Sequence, residues 1–159
     1  MNIFAYDRIS AVNYALKYAL KRNPYYYDFD KLGGNCTNFV SQSIFAGCKV
    51  MNYSPLGWYY NSVKDRAPAW TGVNQLYAFL INNKSVGPFA TLSNKQSVSV
   101  GDVVQLGRND NDFYHAMIIT EIRDGRILIC SNTRDAKNLP LDSYSYRKIR
   151  FIHIEGYRK

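Results

Sequence analysis

The amino-acid sequence predicts an α+β fold, on three observations. Apolar residues of the first half recur at helical spacing, and those of the second half alternate or run in short β-branched stretches. Asp124-Gly125 splits two of these stretches in the manner of a hairpin turn. The chain of 159 residues suits one domain and is too short for two ordinary ones. A single domain over 1–159 is expected, with a helical half to about residue 82 and a sheet half from about 98 to 157.

Asp7 is a fair N-cap for a first helix that carries Ile9, Val12, Leu16, Ala19 and Leu20 at helical spacing, and Pro24 closes it. The loop from Asp28 to Asn35 follows, with Gly33-Gly34 ahead of an asparagine placed to cap the next helix. That helix runs from Cys36 to about Ala46, buries Phe39, Val40 and Ile44, and stops at Gly47. Residues 49–69 are rich in aromatics and weak in periodicity, so they read as a long connection. Val73, Leu76, Phe79 and Leu80 after Thr71 mark a third helix. From Val98 the period becomes that of strands: Asp102 to Leu106, Tyr114 to Ile122, Arg126 to Ser131, and about Arg147 to Glu155. These four strands are expected to pair mostly antiparallel.

Hydrophobic residues at 47% and charged residues at 20% exclude a disordered chain. No apolar run approaches the roughly 18 residues of a membrane span. Asp7, Arg8, Asn13 and Lys17 break every window where a signal-peptide core would sit. The chain as written is therefore expected in the cytoplasm, unless it is a domain cut from a secreted protein or an endolysin-type enzyme. Three cysteines, an odd number, make no disulfide framework, and two histidines with no Cys-x-x-Cys pair make no zinc-ligand set. No metal or other cofactor is expected. The net charge of +8 favours polyanionic surroundings, but the basic residues are scattered, which argues against nucleic acid as the partner.

A nucleophilic cysteine acts as a thiolate and needs a lowered pKa, which the first turn of a helix supplies through free N–H groups and the macrodipole. Cys36 has that placement, although position alone describes an ordinary buried cysteine as well. Cys48 follows a glycine, and Cys130 lies in an apolar strand where a thiol is a small hydrophobe. The second requirement is a general base, and histidine titrates in the right range. His115 opens the strand Ala116-Met117-Ile118-Ile119, whereas His153 lies mid-strand and reads as a core histidine. A two-residue turn at Asp124-Gly125 sets His115 opposite Arg134 and Met117 opposite Asn132. His115 and Asn132 then share a face as diagonal neighbours, roughly 7–8 Å apart. An asparagine there can hold the imidazole in one tautomer, and Ser131 points away unless a bulge intervenes.

The run Gly34-Asn35-Cys36-Thr37-Asn38-Phe39-Val40-Ser41-Gln42 resembles the signature helix of the bacterial amidase-domain family. That family belongs to the papain-like cysteine hydrolases, with NlpC/P60 and CHAP peptidoglycan hydrolases as relatives. Further matches follow in family order: Tyr6-Asp7-Arg8, Trp58-Tyr59-Tyr60, Ala69-Trp70, Gly101-Asp102-Val103-Val104, His115 to Thr120, and Asp135 with Pro140-Leu141. The resemblance implies a papain-like (NlpC/P60-like) fold and the catalytic set Cys36, His115 and Asn132. The family's common residue at the last position is a second histidine. Asparagine is a mild departure, since both accept a hydrogen bond from imidazole N–H. The backbone N–H of Cys36 would serve as an oxyanion donor, with Tyr27 as a side-chain candidate and Trp58 and Trp70 as candidate substrate contacts.

The leading expectation is a cysteine amidase or peptidase acting on a peptide or small amide, peptidoglycan peptides included. Acyl transfer through the same acyl-enzyme is a variant of it. The alternative is a non-catalytic module that binds glycan or single-stranded nucleic acid through aromatic and basic side chains, with Cys36 an ordinary thiol.

Overall fold

Helix α1 (Arg8–Tyr18) starts where Asp7 caps it, the carboxylate accepting from the Ser10 N–H at 3.0 Å. Its fully buried Ala11 and Ala15 leave room for close packing on α2 (Cys36–Cys48). Helix α2 is the buried centre of the molecule, with Phe45 its one residue that is not buried. It runs past Gly47, the expected stop, and ends at Lys49 in the left-handed conformation (φ 58°). Gly47 serves close approach instead. A Cβ there would meet the Tyr6 ring at 2.3 Å and the Asp7 carbonyl at 2.8 Å.

A computed structural model describes residues 1–159. The aromatic-rich connection holds a small hairpin, β2 (Tyr60–Ser62) with β3 (Asp65–Arg66), and the short helix α3 (Pro68–Thr71). Helix α4 (Val73–Asn82) lies where the periodicity places it. The sheet comprises β1 (Ile3–Phe4), β4 (Gly87–Ser93), β5 (Val103–Asn109), β6 (Asp112–Arg123), β7 (Arg126–Ser131), β8 (Ala136–Pro140) and β9 (Lys148–Arg158). Its order is β1-β9-β5-β6-β7-β8, with β4 also paired to β9, and every pairing is antiparallel. The fold is thus α+β, as the sequence predicts. No helix is long and apolar enough to cross a membrane.

The sheet separates two cores. Val103, Ala116, Ile118, Cys130, Ile152 and Ile154 face the helices. Val104, Leu106, Met117, Ile119, Ile127 and Ile129 face away from them and are covered by Leu141 after β8. Asp124 and Gly125 (φ 51° and 75°) form the expected turn, with Ile122 opposite Ile127 and Arg123 opposite Arg126. Beyond Glu121 a bulge shifts the register, so Ile119 pairs with Ile129 and Ile118 with Cys130. Continued along β6, that shift brings Ala116, rather than Met117, opposite Asn132.

Candidate active site

The first turn of α2 is held from both sides of its approach. Gly33 and Gly34 adopt φ of 88° and 99°, a conformation few other residues tolerate. Asn35 then occupies the N-cap position, but its side chain does not cap the helix. Its Oδ1 accepts from the Phe29 N–H at 3.0 Å and from Asn38 Nδ2 at 2.9 Å, and its Nδ2 donates to Asn132 Oδ1 at 2.9 Å. The Asn35 backbone N–H donates to Thr133 Oγ1 at 2.7 Å, and that hydroxyl donates to Asp30 at 2.6 Å. The helix bonds begin with the Phe39 N–H on the Asn35 carbonyl, so the earlier donors stay outside the ladder.

Those donors surround the sulfur. Cys36 Sγ lies against the backbone N–H groups of Ala116, Thr37 and Cys36 itself, and 3.8 Å from Thr37 Oγ1. Burial pushes the thiol pKa up, these donors pull it down, and burial wins. The lowered pKa expected from helix position is therefore not what the resting protein has. At 8% exposure, desolvation outweighs the helix terminus.

His115 is also buried, and its Nε2 has no hydrogen-bond partner. Burial, with a smaller contribution from Arg134, pulls its pKa down to about 4. His115 pairs with Leu106 across β5, two residues from the pair Met117–Val104, which places it on the face away from the helices. There it lines a cavity of about 480 Å³ with Leu106, Tyr114, Arg134, Ala136 and Tyr144, among others. Cys36 packs instead in the helix-side core beside Ala116. The fold thus brings the thiol to the residue next to His115, with the two side chains directed to opposite sides of β6.

Asn132 joins Asn35, the residue before Cys36, rather than His115. Its Oδ1 takes the bond from Asn35, and its Nδ2 donates to the carbonyls of Tyr18 and Ala19, both at 3.1 Å. The bulge in β6 explains the departure from the expected His115 contact, together with the turn after β7, where Thr133 and Arg134 have φ of 53° and 62°. Tyr27 sits at the same helix start. Its carbonyl accepts from Asn38 Nδ2 at 3.0 Å, and its N–H donates to the Tyr60 hydroxyl at 2.8 Å. Its ring is largely exposed, edge-on to Phe29.

Trp58 and Trp70, expected at the substrate, are fully buried and packed on each other with ring centroids 4.7 Å apart. Their indole N–H groups satisfy polar residues inside α2, Trp58 on Ser41 at 3.0 Å and Trp70 on Asn38 at 2.9 Å. The helix-start residues that sequence reasoning passed over are Asn35, as a bridge, and Thr133. Asn35 was visible only as a cap, and nothing in the spacing links Thr133 to it. His153 stands apart on β9, partly exposed, with Nδ1 2.7 Å from Asp102.

The family described as "Putative amidase domain" matches residues 5–155. The chain belongs to that family. The match takes in Cys36, His115 and Asn132, and so the whole neighbourhood just described. Two proteins of Bacillus subtilis (strain 168) are similar to it. The "Uncharacterized protein YhbB" is 32% identical over 139 residues, covering 84% of this chain and 43% of that protein. The "Uncharacterized protein YjcM" is 26% identical over 148 residues, covering 87% of this chain and 34% of that protein. The chain therefore spans less than half the length of either relative. No solved structure matches it.

Proposed function

We propose that this member of the amidase-domain family is a cysteine-dependent amide hydrolase with Cys36 as nucleophile and His115 as general base. The observation that carries the reading is the uncapped first turn of α2, with backbone N–H groups from the helix and from Ala116 converging on Sγ. Such donors stabilise a thiolate first and the oxyanion of a tetrahedral intermediate next. Family membership supports the amide as the bond attacked.

The resting state is a neutral thiol and a neutral imidazole on opposite faces of β6, since burial raises one pKa and lowers the other. Neutral imidazole is the form that accepts a proton. For transfer, the start of β6 has to shift so that the His115 ring, held in the resting fold on the face away from α2, reaches the thiol, and its unpartnered Nε2 gives up no bond in doing so. Cys36 Sγ then attacks the carbonyl carbon, His115 takes the thiol proton and delivers it to the leaving amine, and water releases the acyl group by the reverse sequence. Kinship with the papain-like hydrolases is part of this reading, supported by a helix bearing the thiol packed on an antiparallel sheet bearing the histidine. Peptide bonds of peptidoglycan are among the substrates it includes.

Mass spectrometry of peptide and peptidoglycan-fragment mixtures tests the proposal. Native protein should release new fragments, and Cys36→Ala should release none while keeping its circular dichroism spectrum. Cys48→Ser and Cys130→Ala, both altered away from the α2 start, should retain most of the activity. Undiminished turnover by Cys36→Ala would end the reading.

A further inference from the structure

The cavity lined by His115 continues into a second hollow, and the two share Tyr114, Arg134 and Ser145. Together they form a groove of about 480 Å³ at the His115 end and about 660 Å³ beyond it. Its free charge is positive. Arg108 is engaged by Asp112 at 3.1 Å, and the lining carboxylate of Asp135 is held by Arg22 at 2.9 Å. Arg134 and Arg147 remain, both exposed and neither in an ion pair. Arg134 lies close enough to His115 to disfavour its protonation. At the inner end, the buried His115 Nε2 is an unused polar atom on the groove wall.

The geometry points to this groove as the binding site for an acidic peptide segment, whose carboxylates are taken by Arg134 and Arg147. Guanidinium forks match the planar, two-oxygen geometry of carboxylates. Tyr114, Tyr144 and Tyr146 line the same walls and offer phenol hydroxyls to peptide groups, and no lysine contributes. The Arg108 guanidinium already lies over the Tyr114 ring at 4.6 Å, so the wall is partly ordered before any ligand arrives. The groove starts at His115, one residue from the N–H that faces Cys36 Sγ. The groove opens on the face of β6 away from Cys36, so binding there is independent of the hydrolase reading.

Calorimetric titration of the Cys36→Ala protein with two capped peptides tests the site without turnover. The pair is acetyl-Ala-Glu-Ala-Glu-Ala-amide and its twin with glutamine at both glutamate positions. The acidic peptide should bind about tenfold tighter at low salt, and added salt should erode the difference. Arg134→Gln combined with Arg147→Gln should abolish the preference while leaving the unfolding midpoint unchanged, since both side chains are exposed. Equal affinity for the twins, a preference that survives in the double variant, or no binding of the acidic peptide up to about 10 mM would each overturn the proposal. Inorganic tripolyphosphate, added as competitor, should displace the peptide only weakly. Displacement at equimolar concentration would assign the groove to phosphate chemistry and overturn the acidic-peptide assignment. Should native protein cleave nothing while Cys36→Ala still binds selectively, the groove stands and the hydrolase reading fails.

Discussion

Burial moves Cys36 and His115 in opposite directions, and each shift has a measurable consequence. An unfolded histidine takes up a proton near its ordinary pKa of 6.5, whereas His115 in the fold does so only at about 4. Between those values the unfolded chain binds more protons, so stability falls as the pH falls through that window and is fully present above it. The loss should reach about 3 kcal/mol at the lower end. Urea unfolding at a series of pH values measures it, and His115→Gln should remove the loss within the window. The decline at lower pH should persist, because Asp30, although burial pushes its carboxyl up, is held below the usual range by Thr133 and Arg22. If His115 is the base of the proposed hydrolysis, the same shift sets the acid limb of kcat/KM. It should lie near pH 4, where free His115 becomes protonated, and a limb near 6.5 would show the base to be an exposed imidazole instead.

The start of α2 is built by hydrogen bonds among asparagines, and these assign Asn132 a structural task. Asn35→Ala removes the partners of the Phe29 N–H, the Asn38 side chain and Asn132 Oδ1, all at a buried position. Asn38 keeps the Tyr27 carbonyl as an acceptor, so two buried groups are left without a partner, and at about 1–3 kcal/mol each the loss should be about 2–6 kcal/mol. Asn132→Ala abandons the carbonyls of Tyr18 and Ala19 and should cost about 2–4 kcal/mol. Asn132→His should destabilise comparably, because an imidazole cannot supply two donors and an acceptor to the same three atoms. Chemical denaturation checks all three. If Asn132→Ala kept full stability yet lost rate by about 10- to 1,000-fold, the orienting role that the family resemblance implies would be restored. The elements that mattered most were legible: α1, α2 and α4 from their apolar spacing, and the β6–β7 hairpin from Asp-Gly. Strand β4 was not, because Gly87-Pro88 opens it and Thr91 and Leu92 stay exposed on an edge of the sheet. Neither was the bulge beyond Glu121, which no glycine or proline marks and which reverses the face assigned to Asn132. The tryptophans misled for a related reason. Their partners are Ser41 and Asn38 inside a helix, and polar residues within an apolar run do not show which distant N–H they await.

Over the whole molecule, one buried carboxylate ties the helical half to the sheet. Asp102 is fully buried and accepts from Arg8 Nη1 at 2.7 Å, from the N–H groups of Ser99 at 2.8 Å and Ile154 at 3.0 Å, and it lies 2.7 Å from His153 Nδ1. Arg8 reaches further, to the carbonyls of Val100 and Ile154, and the Tyr6 hydroxyl donates to the Gly101 carbonyl at 3.0 Å. The segments Tyr6-Asp7-Arg8 and Gly101-Asp102, two of the stretches that resemble the family, thus meet where α1 begins and β5 enters the sheet. Helix α1 ends at the Tyr18 and Ala19 carbonyls that hold Asn132, so this tie also sets where the α2 start rests against β6. Asp102→Ala leaves Arg8 and two backbone N–H groups without their acceptor, and should cost about 3–5 kcal/mol. Asp102→Asn, which keeps one carbonyl oxygen, should cost less. A double-mutant cycle of Arg8→Ala with Asp102→Ala isolates the pair from the surrounding bonds, and a coupling of at least about 1 kcal/mol is expected. Because the carboxylate is wholly buried, that coupling should persist in high salt, where surface pairs such as Lys95–Asp142 lose theirs. A coupling that vanished with salt, or additive single losses, would mean that α1 is held by apolar packing alone and that the charge pair only decorates the junction.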